Sequence, residues 1–281
     1  MILRPLEFPP ENFSSHTVRD SQESADRVSS AWAAVERKQK QAAEEWLLIA
    51  QPDHAALAGD LAAHLDTPLV SKLDAEVLHG ISLHDAGWQL FDGGERGTGR
   101  DLEVSLRDPQ VNKAGKPLSF LELTPRKFLV AWTESIERAA KTSPIAGILV
   151  SEHFRRITEM RLGTTVDTAD NLCLFQDFLL CEAERQKHLR KHDRRCAAEI
   201  AILVDVLQFC DLLSLYLCCG SREKVEFPQK LSGEALCVGW EGDLLRGEPR
   251  LFGSGVSLGV TARRYPILGA VQVSTVGFLI Q

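Results

Sequence analysis

No CxxC pair occurs among the seven cysteines of this 281-residue chain: Cys173, Cys181, Cys196, Cys210, Cys218, Cys219 and Cys237. An odd set without paired spacing reads as reduced, packed thiols of a cytoplasmic protein, and the adjacent Cys218 and Cys219 read as helix packing. Positive charge is also in short supply. The formal net charge of −7 argues against broad nucleic-acid binding, which needs clustered Lys and Arg. The opening MILRPLEFPP lacks the apolar core and small-residue cleavage site of a signal peptide, so nothing directs the chain outward. There is no P-loop, and Gly253-Ser254-Gly255 lacks the helix and acidic partner of a dinucleotide site. Gly255-Val256-Ser257-Leu258-Gly259 has the letters of a serine-hydrolase elbow but not its strand-to-helix context, and no histidine follows His192.

What is present is a soluble, globular composition, 44% hydrophobic and 25% charged, in a chain long enough to bury a sizeable core without disulfides. The stretch from Glu199 to Cys219 approaches bilayer-spanning length, but Asp205, Gln208 and Asp211 interrupt it. A central helix buried on nearly all sides has the same composition.

Three regions follow from changes in texture. Residues 1–45 read as a polar N-terminal arm, with a helical tendency from Ala31 to Glu45. Residues 46–220 read as a helical domain, interrupted at 91–125 by a long Gly-, Pro- and charge-containing loop suited to a lid. Helices are expected from an Asp53 N-cap, from Asp74 to Gly87, and over Lys127–Lys141, Pro144–Met160, Asn171–Arg190 and Arg194–Cys219. Residues 221–281 hold short β-type runs at Ala235–Trp240, Val256–Tyr265 and Val271–Ile280. The expected fold is therefore mainly α, a helical bundle with a small C-terminal antiparallel β appendage.

Four ligand-type residues lie on apolar helical stripes. His54 shares a face with Ala58, Leu61 and Leu65; His84 follows Val77 and Ile81, with Asp85 on the adjoining edge. Asp211 lies with Ile200, Val204, Leu207 and Ser214, where an unpaired carboxylate is expensive to bury without a cation or strong donors. Each alone has a bland account: a hydrogen-bonded core histidine, a helix-end ion pair, an internal cap. Together, His nitrogen and carboxylate oxygen from three helices suit Fe, Mn, Zn or Mg. His64 and His79 fall off these stripes.

The order His54, His84-Asp85, Asp211 resembles the HD-domain superfamily of metal-dependent phosphohydrolases, over roughly residues 46–219. The phrases QPDHAALAG at 51–59, LHDAGW at 83–88 and DLLSLYLC at 211–218 are also similar to those of a bacterial HD-like family of unknown function, a likeness that supplies no activity. The superfamily resemblance implies an HD-like bundle in which His54, His84, Asp85 and Asp211 bind a divalent metal. In it Asp85 also orients and deprotonates a bridging water. Two-metal members add histidines before the last Asp. Here His153, which shares a face with Ala146, Leu149 and Ile157, is the candidate addition, or else a satisfied core histidine. His188 and His192 sit on a basic, solvated face.

The function expected from that resemblance is hydrolysis of a phosphorylated small molecule, with no nucleic-acid or membrane partner. Lys113, Lys116, Arg100, Arg155 and Arg156 are candidate phosphate neighbours, each with an ordinary surface role as the alternative. Two rival classes are an HD-type iron oxygenase and a non-catalytic helical binding protein stabilised by metal.

Overall fold

The computed structural model describes residues 1–6, 29–92, 108–163, 167–253, 255–267 and 272–281. Most of the polar arm before Ser29, Gly93, Gly94, Gly97, Gly99 and Arg100 of the expected lid, and Ser254 lie outside them. The chain runs β1 (Ile2–Pro5), β2 (Ser29–Ser30), α1 (Ala31–Lys40), β3 (Trp46–Ile49), α2 (Gln51–Ala63), α3 (Ala75–Ser82) and α4 (Gln89–Asp92). It continues through α5 (Pro125–Thr142), α6 (Pro144–Leu162), α7 (Ala169–Leu189) and α8 (Ala197–Cys218) into β4 (Val225–Leu231), β5 (Glu234–Glu241), β6 (Leu244–Glu248), β7 (Val256–Tyr265) and β8 (Val273–Ile280).

These strands form one curled sheet, a half-barrel ordered β1-β3-β7-β8-β6-β5-β4-β2. The molecule is thus mixed α/β, and the expectation of a mainly helical bundle with a small β appendage is wrong. The sheet recruits β1, paired antiparallel with β3 from Ile2–Ile49 to Pro5–Trp46, and β3 in turn lies on β7. It is not purely antiparallel either, since β6 and β8 run parallel. Two four-residue runs far apart in sequence, with three of four residues buried in each, show no period-2 alternation to mark them as strands. The expected regions also merge. Of the described part of residues 1–45, α1 is no detached arm, because Ala31, Ala34 and Val35 are fully buried in a core shared with α8 and the C-terminal strands. The GxSxG letters run from a turn at Gly255 into β7, where Ser257 pairs with Leu279, so no nucleophile elbow exists there.

α8 is apolar on nearly every side because it lies between α1, α2 and α6 and the strands β1 and β4. Phe209 meets the Phe227 ring edge-on at 4.8 Å, and each such fully buried side chain contributes about 1.5–3 kcal/mol. It is the one helix among the described residues long and apolar enough to cross a membrane, yet 67% of its apolar window is buried inside the fold. Helix packing therefore accounts for its composition. A second, aromatic cluster joins α5, α6 and α7, with Trp132 stacked on Phe154 at 4.8 Å.

Helix ends follow local chemistry. Asp74 caps α3 by accepting the Val77 N–H at 3.0 Å, as its sequence position predicts. Asp53 does not cap α2. The backbone of Ala50 takes that position, the Gln51 N–H donates to Asp92 Oδ2 at 3.1 Å, and Asp53 lies within the first turn. All seven cysteines are free thiols, with Cys210, Cys218 and Cys219 buried and Cys173, Cys181 and Cys196 exposed.

The helices that carry the candidate ligands approach closely. A Cβ on Gly80 would stand 2.9 Å from Ala146 Cα, so α3 meets α6 almost backbone to backbone. Gly80→Ala gains about 1 kcal/mol of helix propensity but faces an overpacking cost of about 1–3 kcal/mol. With backbone as the obstacle, a lower denaturation midpoint is expected. An unchanged or raised midpoint would contradict this contact.

Candidate metal centre

His54 stands in the first turn of α2 and is fully buried. His84 and Asp85 do not lie on α3, whose last residue is Ser82; they occupy the turn between it and a 3-10 segment at Ala86–Trp88. The reason is tight packing just beyond. A Cβ on Gly87 would stand 2.1 Å from Ala131 O, and the Gly87 N–H donates to Ser135 Oγ at 2.8 Å, which fixes the turn on α5. In a tightened turn of three residues, His84 falls above the buried Ile81 and still points inward.

The structure gathers all five residues singled out in the sequence. His54, His84 and Asp85 form one group, and His84, His153 and Asp211 a second; within each, the ligand atoms lie within 4.8 Å of one another. These buried groups can hold a metal ion. The His54 and His84 rings meet edge to face at 5.1 Å, as do His84 and His153 at 5.4 Å. His79, His188 and His192 are exposed, and so is His64, bonded through Nδ1 to Asp60 O.

Hydrogen bonds settle which nitrogen each ring presents. The Ser214 hydroxyl donates its single proton to Asp211 O at 2.7 Å, so at 2.8 Å it must accept from His54 Nδ1–H. Likewise His84 Nδ1–H donates to Ile81 O at 2.8 Å. With Nδ1 protonated, a neutral ring turns an Nε2 lone pair toward whatever lies opposite. What lies opposite is carboxylate: His54 Nε2 is 2.8 Å from Asp85 Oδ2, and His84 Nε2 is 3.2 Å from Asp211 Oδ1 and 3.9 Å from Asp85 Oδ2. Lone pair against carboxylate is repulsive, and this deep there is no bulk water to screen it. The arrangement calls for a cation between them, either a proton or a metal ion.

At His84 a proton can play that part. Burial pulls the His84 imidazole down, but the charges of Asp211 and Asp85 outweigh it and raise its pKa to about 9. For Asp211, burial works upward and is overcome by His84 and then by His153, leaving the carboxyl at about 2. His153 is the opposite case, driven down to about 4 by burial despite nearby Asp211. It is therefore neutral at pH 7, with Nε2 3.7 Å from Asp211 Oδ2 and Nδ1 lacking a hydrogen-bond partner among the described residues. A satisfied core histidine would not leave that atom orphaned. Because His84 Nδ1 is committed to Ile81, the ring has one lone pair to share between the two groups, which suits one ion.

The expected phosphate neighbours fare differently. Lys113 is exposed, Lys116 donates to Gln39 O, and Arg155 pairs with Glu152 and Glu159 of its own helix. Arg156 reaches α8 instead, donating to Asp205 and Gln208. Sequence reasoning gave no role to Ser214 or the Ile81 carbonyl, the two partners that orient the histidines. The visible signal for Ser214 was its place on the Asp211 stripe, three residues along.

Outer partners of ligating histidines typically matter 10- to 100-fold in metal affinity. Ser214→Ala should weaken divalent-metal binding by about that factor, measured by competition with a chelating dye. His79→Ala should leave it unchanged. Equal affinity in wild type and Ser214→Ala would refute the assigned role of this hydroxyl.

No curated protein and no solved structure matches this chain significantly. A family model described as "Protein of unknown function (DUF3891)" matches residues 39–264, which take in all five candidate ligands and most of the sheet, and the chain belongs to that family.

Proposed function

We propose that this chain is an HD-type metal-dependent hydrolase acting on a phosphorylated small molecule. The observation that carries the reading is the pair of buried imidazoles whose Nε2 lone pairs are fixed against Asp85 and Asp211. His54, His84, Asp85 and Asp211 would hold one divalent ion, with His153 as a further ligand, from the Mn, Fe, Zn or Mg set. Such an ion supplies Lewis acidity toward a phosphoryl oxygen and lowers the pKa of bound water.

The chain's own groups do the rest. Ser214 and Ile81 hold the two rings in the tautomer that leaves Nε2 free. Asp85, its side chain 11% exposed at the edge of the cluster, offers a second carboxylate oxygen to receive the proton of an attacking water. Ile81, whose carbonyl holds His84, is buried with Val77 and Leu149 in one apolar core. One shareable lone pair on His84 favours this single-ion hydrolase over the paired irons of an oxygenase. Seven free thiols and a net charge of −7 support a cytoplasmic setting without nucleic acid as partner.

Phosphomonoesters offered to protein loaded separately with Mn, Mg, Zn or Fe should be turned over with at least one ion. Asp85→Asn at saturating metal should lower that rate by about 100-fold or more. Stoichiometric metal without turnover of any ester would instead favour a non-catalytic, metal-stabilised binding protein.

A further inference from the structure

The seam between α6 and α8 carries more than the ligands. His153 of α6 faces Asp211 of α8, and one turn later Arg156 faces Gln208 and Asp205, so the two helices run antiparallel here. Along that seam burial falls away in one direction. Ser214 is fully buried, the Asp211 side chain is 15% exposed, and that of Asp205 is 36% exposed. The way from solvent to the cluster along this seam therefore passes Arg156 and Gln208.

Arg156 is held there by several partners. Nη1 donates to Asp205 Oδ1 at 2.6 Å and to Gln208 Oε1 at 3.1 Å, Nη2 donates to Ala201 O at 3.5 Å, and Nε lies 3.8 Å from Glu152 Oε1. Its side chain is 28% exposed, and a part-exposed ion pair is a weak tie that an incoming anion can replace. The axial step from His153 to Arg156 is about 4.5 Å, which a guanidinium side chain spans. A planar fork of N–H donors matches the oxygens of a phosphoryl group.

We propose that Arg156 is the substrate-reading residue of this centre, leaving Asp205 to bind the anionic oxygens of a phosphoryl group seated beside His153 and Asp211. The proposal rests on the metal-dependent hydrolase reading above. It makes Asp205 a competitor of the substrate, and it restricts substrates to those with an unblocked phosphoryl group at the seam.

The test is calorimetric titration of inorganic phosphate into the metal-loaded full chain, with metal content measured first in every sample. Arg156→Ala should keep its metal and bind phosphate about tenfold or more weakly, the scale of a lost charge-assisted hydrogen bond. Asp205→Asn should bind phosphate more tightly, because it frees the guanidinium. A purely structural ion pair would give both variants the same response, since either substitution breaks it. Equal weakening, no change in either variant, or no phosphate binding by metal-loaded wild type would each overturn the proposal while leaving the metal centre intact. Wild type that takes up no metal would overturn both readings, and does so before phosphate is added.

Discussion

Two imidazole rings whose Nδ1 protons are already engaged, one by Ser214 and one by the Ile81 carbonyl, present lone pairs to two carboxylates inside the protein. Such a set cannot sit there uncompensated, because isolated charge in a medium of low polarisability is strongly unfavourable. Much of the surrounding architecture follows from holding it. α2, α6, α8 and the turn after α3 each deliver part of the cluster; Gly80 lets α3 lie directly on α6, and Gly87 lets the turn after it lie on α5. The sheet closes the other side, with Phe227 and Val225 of β4 among the residues packed in the same core as α8.

The helical half of the molecule was readable from sequence because its signals are local. Pro144 after the Ser143 cap, Asp74 at the start of α3, and the apolar run of α8 all lie within a turn or two of the feature they specify. The sheet was not readable as one sheet. β1 and β3 are four residues each; they pair with each other across α1, and β3 then pairs with β7, Trp46 opposite Tyr265, in contacts that no local window contains. In sequence α1 looks peripheral because the apolar part of its buried face is only Ala31, Ala34 and Val35, amid many charged residues. Asp53 suits a cap by residue type alone, whereas Asp92, remote in sequence, accepts the Gln51 N–H at the helix start.

At the site, helical phase was enough to bring His54, His153 and Asp211 inward, and it also worked for His84, although for a different reason from the one expected. A continuous helix and a tightened turn both place His84 on the side of Ile81, at i+3. The outer partners were hidden, since a serine on a core stripe has many uses and a carbonyl has no sequence signature. Arg156 was one of several equivalent cations in sequence. Only its reach across to α8, while Arg155 stays on its own helix, separates it from them. The HD resemblance concerns ligand order and helical context more than extended sequence, and membership of DUF3891 adds no activity to it.

Anomalous diffraction from crystals of protein purified without chelator, collected above and below the absorption edge of the bound metal, shows whether one divalent cation occupies the space between these side chains. A single peak is expected about 2.0–2.2 Å from Nε2 of both His54 and His84, with carboxylate oxygens of Asp85 and Asp211 at similar range. No peak in the cluster after soaking with Mn, Fe or Zn, or a peak bound by other residues, would contradict this.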